Sequence, residues 1–262
     1  MKKYLLLSVF FAASLCLFSC KDDNLIEVVE VPLPTKDEKV LIGSPLDVKA
    51  DPGSFDVLKL PYAYDALAPM IRSLTLEIHY SKHYLGYTNN LNKAVAGTAY
   101  ENMPIEEMLY KLDLNDAALR NNAGGYYNHT LYWKSMSPKG KLEPVDTIAG
   151  SIKKDFGSYA NFTTQFKNKS MKQYGSGWAW LVVDKAGKLQ ITTTDNQDNP
   201  LMKNALVPGL PIMVLDLWEH SYYLDYQYKK KNYVDAFFKI IDWDKVNENY
   251  KAALNKVKNK QF

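Results

Sequence analysis

Apolar residues in the first part of the chain recur at the spacing of helices. Leu74, Ile78 and Leu85 lie on one side of a helix predicted over 69–89, and Pro69 suits its first turn. A second run covers 105–112, and a third follows Asn121-Asn122-Ala123-Gly124-Gly125 and continues to Met136. The first part of the chain is therefore predicted to be all-helical.

The second part mixes helical and extended patterns. Ile148, Ile152 and Phe156 lie four apart, and a helix through Phe162 and Phe166 follows. After Gly175-Ser176-Gly177, three short strands are predicted: 178–183 and 189–194, joined by a hairpin turn, and 212–217, which is apolar enough to be central. Helices are predicted again over 222–228, 233–240 and 244–256.

The N-terminus predicts export. Lys2 and Lys3 precede a nearly unbroken apolar run over 4–18. At about 15 residues this run suits a signal-peptide core better than a membrane span of about 20. We therefore predict that residues 1–19 form a signal peptide.

The end of this run, Leu17-Phe18-Ser19-Cys20, resembles a bacterial lipobox, although the phenylalanine is unusual there. Ser19 supplies the small residue that cleavage needs, so Cys20 is the predicted lipidation site. The following Lys21-Asp22-Asp23 is similar to a signal that sends some lipoproteins to the cell surface. The prediction is an exported lipoprotein of the bacterial envelope, with the outer-membrane surface as one destination; plain secretion with an incidental cysteine is the alternative.

Residues 20–55 are predicted to be a lipidated tether that holds a folded domain off a membrane. The segment carries four prolines and several acids, and no aromatic residue precedes Phe55. Globular character begins near Leu60 and persists to the C-terminus.

Composition narrows the function classes. Hydrophobic residues make up 47% and charged residues 23% of the 262 residues, which excludes bulk disorder. Two cysteines exclude a disulfide scaffold and a multi-cysteine zinc site. A net charge of +3 is too small to suggest nucleic-acid binding, and we expect no nucleic-acid partner.

Histidine is scarce, and its placement points to a metal. His79 and His83 lie four apart on one predicted helix, with Tyr87 four further on. His129 lies on another helix, and Asp216 ends the third strand four residues before His220. Several neutral imidazoles and one carboxylate suit a redox-capable transition metal. The alternative is that each histidine is an ordinary core or surface residue.

Several motifs resemble the iron/manganese superoxide dismutases, in order and at suitable spacing. The resemblance runs from about Phe55 to the end of the chain. The motifs are Leu-Pro-Tyr-Ala-Tyr-Asp-Ala-Leu at 60–67, Glu-Ile-His-Tyr-Ser-Lys-His at 77–83, Asn-His-Thr-Leu-Tyr-Trp at 128–133, Gly-Ser-Gly-Trp-Ala-Trp-Leu at 175–181 and Asp-Leu-Trp-Glu-His-Ser-Tyr-Tyr at 216–223. The resemblance implies an α+β fold: an N-terminal antiparallel helical hairpin domain, 56–142, followed by an α/β domain, 143–262, with a three-stranded antiparallel sheet.

The resemblance also implies roles for residues at the centre. One manganese or iron ion per subunit would be held by a single set of ligands, namely His79, His129, Asp216 and His220, with solvent in a fifth position. His83 is then a gateway residue, with Tyr87, at the mouth of the substrate funnel, and Trp178 and Trp180 line the site.

An assembly is implied as well, a homodimer or a tetramer. Glu219 matches a residue that reaches across the dimer interface to the partner subunit's His220. Tyr223 matches a contact to the partner subunit's His83. Each site would therefore be completed by the second subunit.

Three positions bear on the choice of metal. Iron-type relatives usually place a glutamine four residues before the second histidine ligand, where this chain has Gly125. Manganese-type relatives have glycine there and bring the glutamine from the strand region, which matches Gln197. Val214, two residues before Asp216, matches neither the usual glycine nor the usual threonine. Manganese is favoured, and iron or both metals remain open.

The implied activity is the conversion of superoxide to dioxygen and hydrogen peroxide. Gln197 would tune the redox potential, Tyr87 would carry a hydrogen-bond chain toward bulk water, and Lys82 with Lys229–Lys231 would attract the anion. The lysine triplet could equally be a solvated basic turn. The alternatives are a non-catalytic metal-binding surface lipoprotein with a dismutase-like fold and an adhesin that kept the fold. Hydrolytic zinc chemistry fits poorly, because no general base is evident beside the open position.

Overall fold

The computed structural model describes residues 41–260. The predicted signal peptide, the lipidation at Cys20 and the part of the tether before residue 41 lie outside that range and stay predictions. Within 41–260, no helix is long and apolar enough to cross a membrane.

The last residues of the predicted tether are hydrogen-bonded to the first long helix. The Gly43 amide donates to Glu77 Oε1 at 2.8 Å, and the Asp51 amide donates to Asn89 Oδ1 at 2.8 Å. Asn92 accepts from the Phe55 amide and donates to the Phe55 carbonyl, both at 2.8 Å. The stretch from Gly43 to Phe55 is therefore attached to the folded domain at several points.

The first part of the structure is a helical hairpin. Helix α1 (Ser73–Ile78), a π-helical segment (His79–Tyr84) and helix α2 (Leu85–Val95) follow one another without a break. Helix α3 (Ile105–Lys111) leads to the long helix α4 (Ala117–Lys134), which packs against α2. The predicted helical hairpin is confirmed.

The predicted start of the first helix, at Pro69, is wrong. Pro69 lies in a turn, and the helix begins at Ser73 because Arg72 is held in an extended conformation. The Arg72 amide donates to Asp225 Oδ2 at 2.8 Å, and its guanidinium donates to Asp225 Oδ1 at 2.7 Å. A contact this distant in sequence leaves no local signal.

The predicted start of the third helix, after Gly125, is also wrong. The run Asn121–Gly125 lies inside α4, which begins at Ala117, where the Asp116 side chain accepts from the Leu119 amide at 2.9 Å. Paired glycines usually weaken a helix. Here they allow two other chain segments, which carry Gln197 and Tyr87, to approach α4 closely.

A three-stranded antiparallel sheet lies in the second part, as predicted. Its strands are β1 (Gly177–Val183), β2 (Leu189–Asp195) and β3 (Leu210–Asp216), in the order β2-β1-β3. The prediction that the third strand is central is therefore wrong, because β1 occupies that place. Strand β3 is nonetheless fully buried, since α4 and a C-terminal helix pack on it.

Helices surround the sheet and complete the α+β fold. Ser158 and Asp242 cap two of them through their side chains. The helices are α5 (Asp146–Phe156), α6 (Tyr159–Lys172), α7 (Tyr223–Tyr226), α8 (Lys230–Phe237) and α9 (Trp243–Lys258). One continuous core joins the hairpin to the sheet, and it includes the fully buried Trp133 and Trp178. The ends of β1 and β3 that face α4 are thereby fixed against the hairpin.

Candidate metal centre

Four elements bring the four predicted ligands together. His79 begins the π-helical segment, His129 lies in α4, Asp216 ends β3 and His220 lies in a short 3₁₀ turn, Glu219–Ser221. One ligand atom from each side chain lies within 4.8 Å of all the others. In the part of the chain that the structure describes, this is the single group of three or more such residues arranged closely enough to hold a metal ion.

The donor atoms surround one carboxylate oxygen. Asp216 Oδ2 lies 3.2 Å from His79 Nε2, 3.2 Å from His220 Nε2 and 3.7 Å from His129 Nε2. The Nε2 atoms of His79 and His129 are buried, and the described residues provide no hydrogen-bond partner for either. Buried polar atoms without partners are rare in native structures and call for an explanation. Three imidazole nitrogens and a carboxylate oxygen that converge in this way fit a manganese or iron ion.

Hydrogen bonds outside the ligand set fix the ligand orientations. His129 Nδ1 lies 2.7 Å from the Gly125 carbonyl oxygen. A carbonyl can only accept, so Nδ1 carries the proton and Nε2 is left free to bind a metal. Asp216 Oδ1 accepts from the Trp218 amide at 2.8 Å, which directs Oδ2 toward the histidines. Such partners hold ligands in their binding geometry.

Burial and mutual charge set the protonation states. Burial lowers the pKa of His79 to about 4 and lowers the pKa of His129 well below its usual value. Burial alone would raise the pKa of Asp216, but His220 and His79 outweigh it, and the net shift is downward. At neutral pH these two imidazoles are neutral and the carboxylate is ionised, which are the protonation states that bind a metal.

The π-helical segment is a feature that sequence reasoning missed. Wide helical turns of this kind are frequently found at functional sites. Here the segment begins at His79 and contains His83, and the two rings lie 5.8 Å apart between centroids. The spacing of apolar residues along the sequence does not distinguish it from an ordinary α-helix.

His83 lies beside the ligand group without belonging to it. Its ring centroid is 4.0 Å from that of His220 and 5.1 Å from that of His129. Burial, followed by the neighbouring histidines, lowers the pKa of His83 well below its usual value, and its buried Nε2 has no hydrogen-bond partner among the described residues. The Tyr87 ring lies 4.9 Å away. His83 and Tyr87 therefore form an adjacent pair next to the centre.

Gln197 connects Tyr87 to the sheet. Its Oε1 accepts from Trp178 Nε1 at 3.2 Å and from Asn128 Nδ2 at 3.3 Å. Because two donors occupy the oxygen, the amide nitrogen points the other way, and Nε2 donates to the Tyr87 hydroxyl at 3.0 Å. Asn128 Nδ2 also donates to the Gln197 main-chain oxygen at 3.0 Å.

The two glycines of α4 make this network possible. A Cβ on Gly125 would lie 2.5 Å from the Tyr87 ring, and a Cβ on Gly124 would lie 2.2 Å from the Gln197 main-chain oxygen. Gly124 and Asn128 are functional residues whose roles sequence reasoning missed. Their spacing of four residues places them on one face of α4, but the segment that they contact could not be identified from sequence.

The remaining predicted residues lie at different distances from the centre. Trp178 is fully buried, with its ring centroid 4.9 Å from that of His129. Trp180 is also buried; its ring centroid lies 6.2 Å from that of Trp178, and its Nε1 donates to Thr194 Oγ1. Glu219 and Tyr223 are both exposed at the surface next to His220.

Together the fold and the centre define a class of protein. A helical hairpin and a three-stranded sheet place three histidines and one aspartate around a single point. This is a mononuclear metal-binding protein with an α+β fold.

Comparison with known proteins identifies the family. The profile "Iron/manganese superoxide dismutases, alpha-hairpin domain" matches residues 54–137, and the profile "Iron/manganese superoxide dismutases, C-terminal domain" matches residues 144–249. Over 199 residues, the chain is 44% identical to "Superoxide dismutase [Mn/Fe]" of Methylomonas sp. (strain J). The aligned region covers 74% of this chain and 96% of that protein. The chain belongs to the iron/manganese superoxide dismutase family.

Proposed function

We propose that the protein converts superoxide to dioxygen and hydrogen peroxide, with one manganese or iron ion held by His79, His129, Asp216 and His220. The observation that supports the proposal is the convergence of these four donors, two of which are buried nitrogens with no hydrogen-bond partner in the described part of the chain. Family membership and the printed name of the Methylomonas relative support it.

The chemistry divides between the ion and the chain. A bound manganese or iron ion supplies one-electron exchange, by which one superoxide is oxidised to dioxygen and a second is reduced, with two protons, to hydrogen peroxide. The chain supplies the neutral imidazoles of His79 and His129, the imidazole of His220 and the ionised carboxylate of Asp216 to hold that ion. Tyr87 Oη accepts from Gln197, which leaves its own proton available to donate.

The lysines that could attract superoxide differ in their contacts. Lys231 pairs with Asp235 at 2.7 Å, and Lys230 donates to the Gln173 carbonyl at 3.0 Å. Lys82 and Lys229 are exposed, which suits the attraction of a small anion. We therefore assign the attraction of superoxide to Lys82 and Lys229 more than to the other two lysines.

Manganese is the metal that we favour. Gln197 reaches Tyr87 from the segment after β2, and a Cβ at position 125 would already overlap the Tyr87 ring. A glutamine at position 125 would therefore require Tyr87 to move. Metal analysis of natively purified protein, paired with activity per bound ion after reconstitution with each metal, tests the choice; iron alone in the native protein, with higher activity than manganese, would contradict it.

Replacing Gln197 with leucine is expected to reduce superoxide turnover by about tenfold or more while leaving the metal bound. Leucine has a similar volume, but it leaves the Tyr87 hydroxyl without its donor and leaves Trp178 Nε1 without its acceptor. Metal content and turnover per ion measure the effect, and Gln190→Leu, at an exposed position of strand β2, is the matched control. Full turnover in the Gln197→Leu variant would contradict this role.

We further propose that the enzyme works as a homodimer or tetramer in which Glu219 and Tyr223 contact the partner subunit. Their exposure next to His220 supports this arrangement, since a second subunit could reach the centre there. Light scattering of the metal-loaded protein tests the proposal; a monomer with full activity would contradict it.

We also propose that Cys20 carries a lipid anchor and that the enzyme acts in the bacterial envelope. Superoxide is an anion that crosses lipid slowly, so an exported enzyme would act on external oxidant. Expression in a bacterial host with radiolabelled fatty acid should label the wild-type chain, and Cys20→Ser should lose the label. Label that survives in Cys20→Ser would contradict the assignment.

A further inference from the structure

The segment that carries Gln197 is bound to α4 by a bidentate ion pair between Arg120 and Asp198. Arg120 Nε donates to Asp198 Oδ1 at 2.7 Å, and Arg120 Nη2 donates to Asp198 Oδ2 at 2.5 Å. Arg120 Nη1 also donates to the Leu114 carbonyl at 3.2 Å. Asp198 directly follows Gln197, so this pair acts one residue away from the amide that contacts Tyr87.

Three turns of α4 contact the same two residues. Arg120, Gly124 and Asn128 lie four apart and therefore share one face of the helix. Gly124 allows the Gln197 carbonyl to lie against the helix, and Asn128 donates to that carbonyl. The same helix carries His129, so its distance from Gln197 determines where the amide lies relative to the metal ligands.

Within residues 41–260, the other hydrogen bonds of Asp198 do not involve α4. Asn204 Nδ2 donates to Asp198 Oδ2 at 2.7 Å, and Thr194 Oγ1 donates to the Asp198 carbonyl at 2.6 Å. Both partners belong to β2 or to the segment that follows it, and they would move together with Gln197. Among the described residues, Arg120 is the side chain on α4 that binds Asp198.

The geometry of the pair favours a positional role over a large contribution to stability. The Arg120 side chain is 32% exposed and that of Asp198 is 17% exposed. Partly exposed ion pairs usually contribute little to the free energy of unfolding of the whole protein. A planar fork on a carboxylate nevertheless fixes distance and orientation.

We propose that Arg120 is a positioning residue for the reaction: through Asp198 it holds the Gln197 amide at hydrogen-bond distance from Tyr87 and beside the four metal ligands. The inference rests on the proposed function, in which Gln197 tunes the centre. It adds a residue that lies outside the centre and touches neither the ligands nor Tyr87.

The test compares Arg120→Met, Arg120→Lys, Asp198→Asn and the Arg120→Met/Asp198→Asn double variant, all loaded with the same metal. Lys141→Met is the matched control, because it removes an exposed ion pair with Asp244 on another part of the surface. The readouts are metal content, the midpoint potential of the ion, backbone hydrogen exchange of residues 195–204 and superoxide turnover.

We expect Arg120→Met to keep its metal, to exchange about tenfold faster over residues 195–204 and to turn over superoxide about tenfold more slowly. The midpoint potential should shift by at least the equivalent of about a threefold change in the ratio of oxidised to reduced ion. Arg120→Lys should lie between wild type and Arg120→Met, because an ammonium keeps the charge and loses the fork. The double variant should be no worse than the worse single variant, because both changes remove one interaction.

Lys141→Met should match wild type in every readout. An Arg120→Met variant with unchanged potential and unchanged exchange would overturn the inference, as would fully additive losses in the double variant. A metal-loaded wild-type protein that leaves superoxide untouched would instead contradict the proposed function, and the exchange and potential comparisons would still decide the role of Arg120.

Discussion

Replacing His129 with alanine is expected to remove the bound metal and to reduce superoxide turnover by more than about a hundredfold. Removing a hydrogen-bond partner of a metal ligand costs up to about a hundredfold, and removing the ligand itself should cost more. His129 is fully buried, its Nδ1 proton is held by the Gly125 carbonyl, and its Nε2 has no other partner among the described residues. Alanine removes one of the four converging donors and leaves a gap in the buried centre where that donor was. Metal content by mass spectrometry and turnover per subunit measure the loss, with circular dichroism to verify folding.

The contrast with His83 makes this experiment specific. The ring centroid of His83 lies 4.0 Å from that of His220, closer than those of His79 at 4.7 Å and His129 at 6.0 Å, yet His83 is outside the group of four. His83→Ala should therefore retain the metal and lose rate. Loss of the metal from His83→Ala would show that His83 is itself a ligand and that the assigned set of four is wrong.

Replacing Gly124 with alanine is expected to destabilise the protein by about 1–3 kcal/mol. It is also expected to reduce turnover by a factor of about 10 to 100. The new Cβ would lie 2.2 Å from the Gln197 main-chain oxygen, and main chain cannot turn away as a flexible side chain can. The segment that carries Gln197 must then shift, and its amide loses its position against Tyr87. Urea unfolding and turnover per bound ion measure the two effects.

Gly150→Ala is the matched control for this change. Gly150 also lies inside a helix, α5, and a Cβ there would meet nothing within 4 Å. Alanine should stabilise that helix by up to about 1 kcal/mol and leave turnover unchanged. If Gly124→Ala behaved like Gly150→Ala, close approach would not be the reason for the glycine.

Most of the fold could be predicted from the periodicity of apolar residues. The predictions that were wrong depend on contacts between residues distant in sequence. The helices of the hairpin and the three strands follow patterns of apolar residues. The start at Ser73 depends on Asp225, more than 150 residues away in sequence, and the edge position of β3 depends on strand pairing. Apolar composition alone could not separate an edge strand covered by helices from a central one.

The candidate site shows the same division. Histidines are few and chemically distinctive, so they could be proposed from sequence together with Asp216, which ends a strand. The family resemblance then separated His83 from His79, His129, Asp216 and His220, and the structure brings these four together. Gly124, Asn128 and Arg120 are ordinary helix residues until the segment with Gln197 lies against them. The π-helical turn at His79 likewise arises from the folded chain and has no local pattern.

The central claim is that four side chains distant in sequence hold one redox-active ion that removes superoxide. Stopped-flow decay of superoxide, followed with metal-free protein and with protein loaded with manganese, iron or zinc, tests it most directly. We predict catalysed decay that is first order in superoxide with manganese or iron bound, and only the spontaneous rate with zinc or no metal. Manganese-loaded and iron-loaded protein that both leave the spontaneous decay unchanged would contradict the claim.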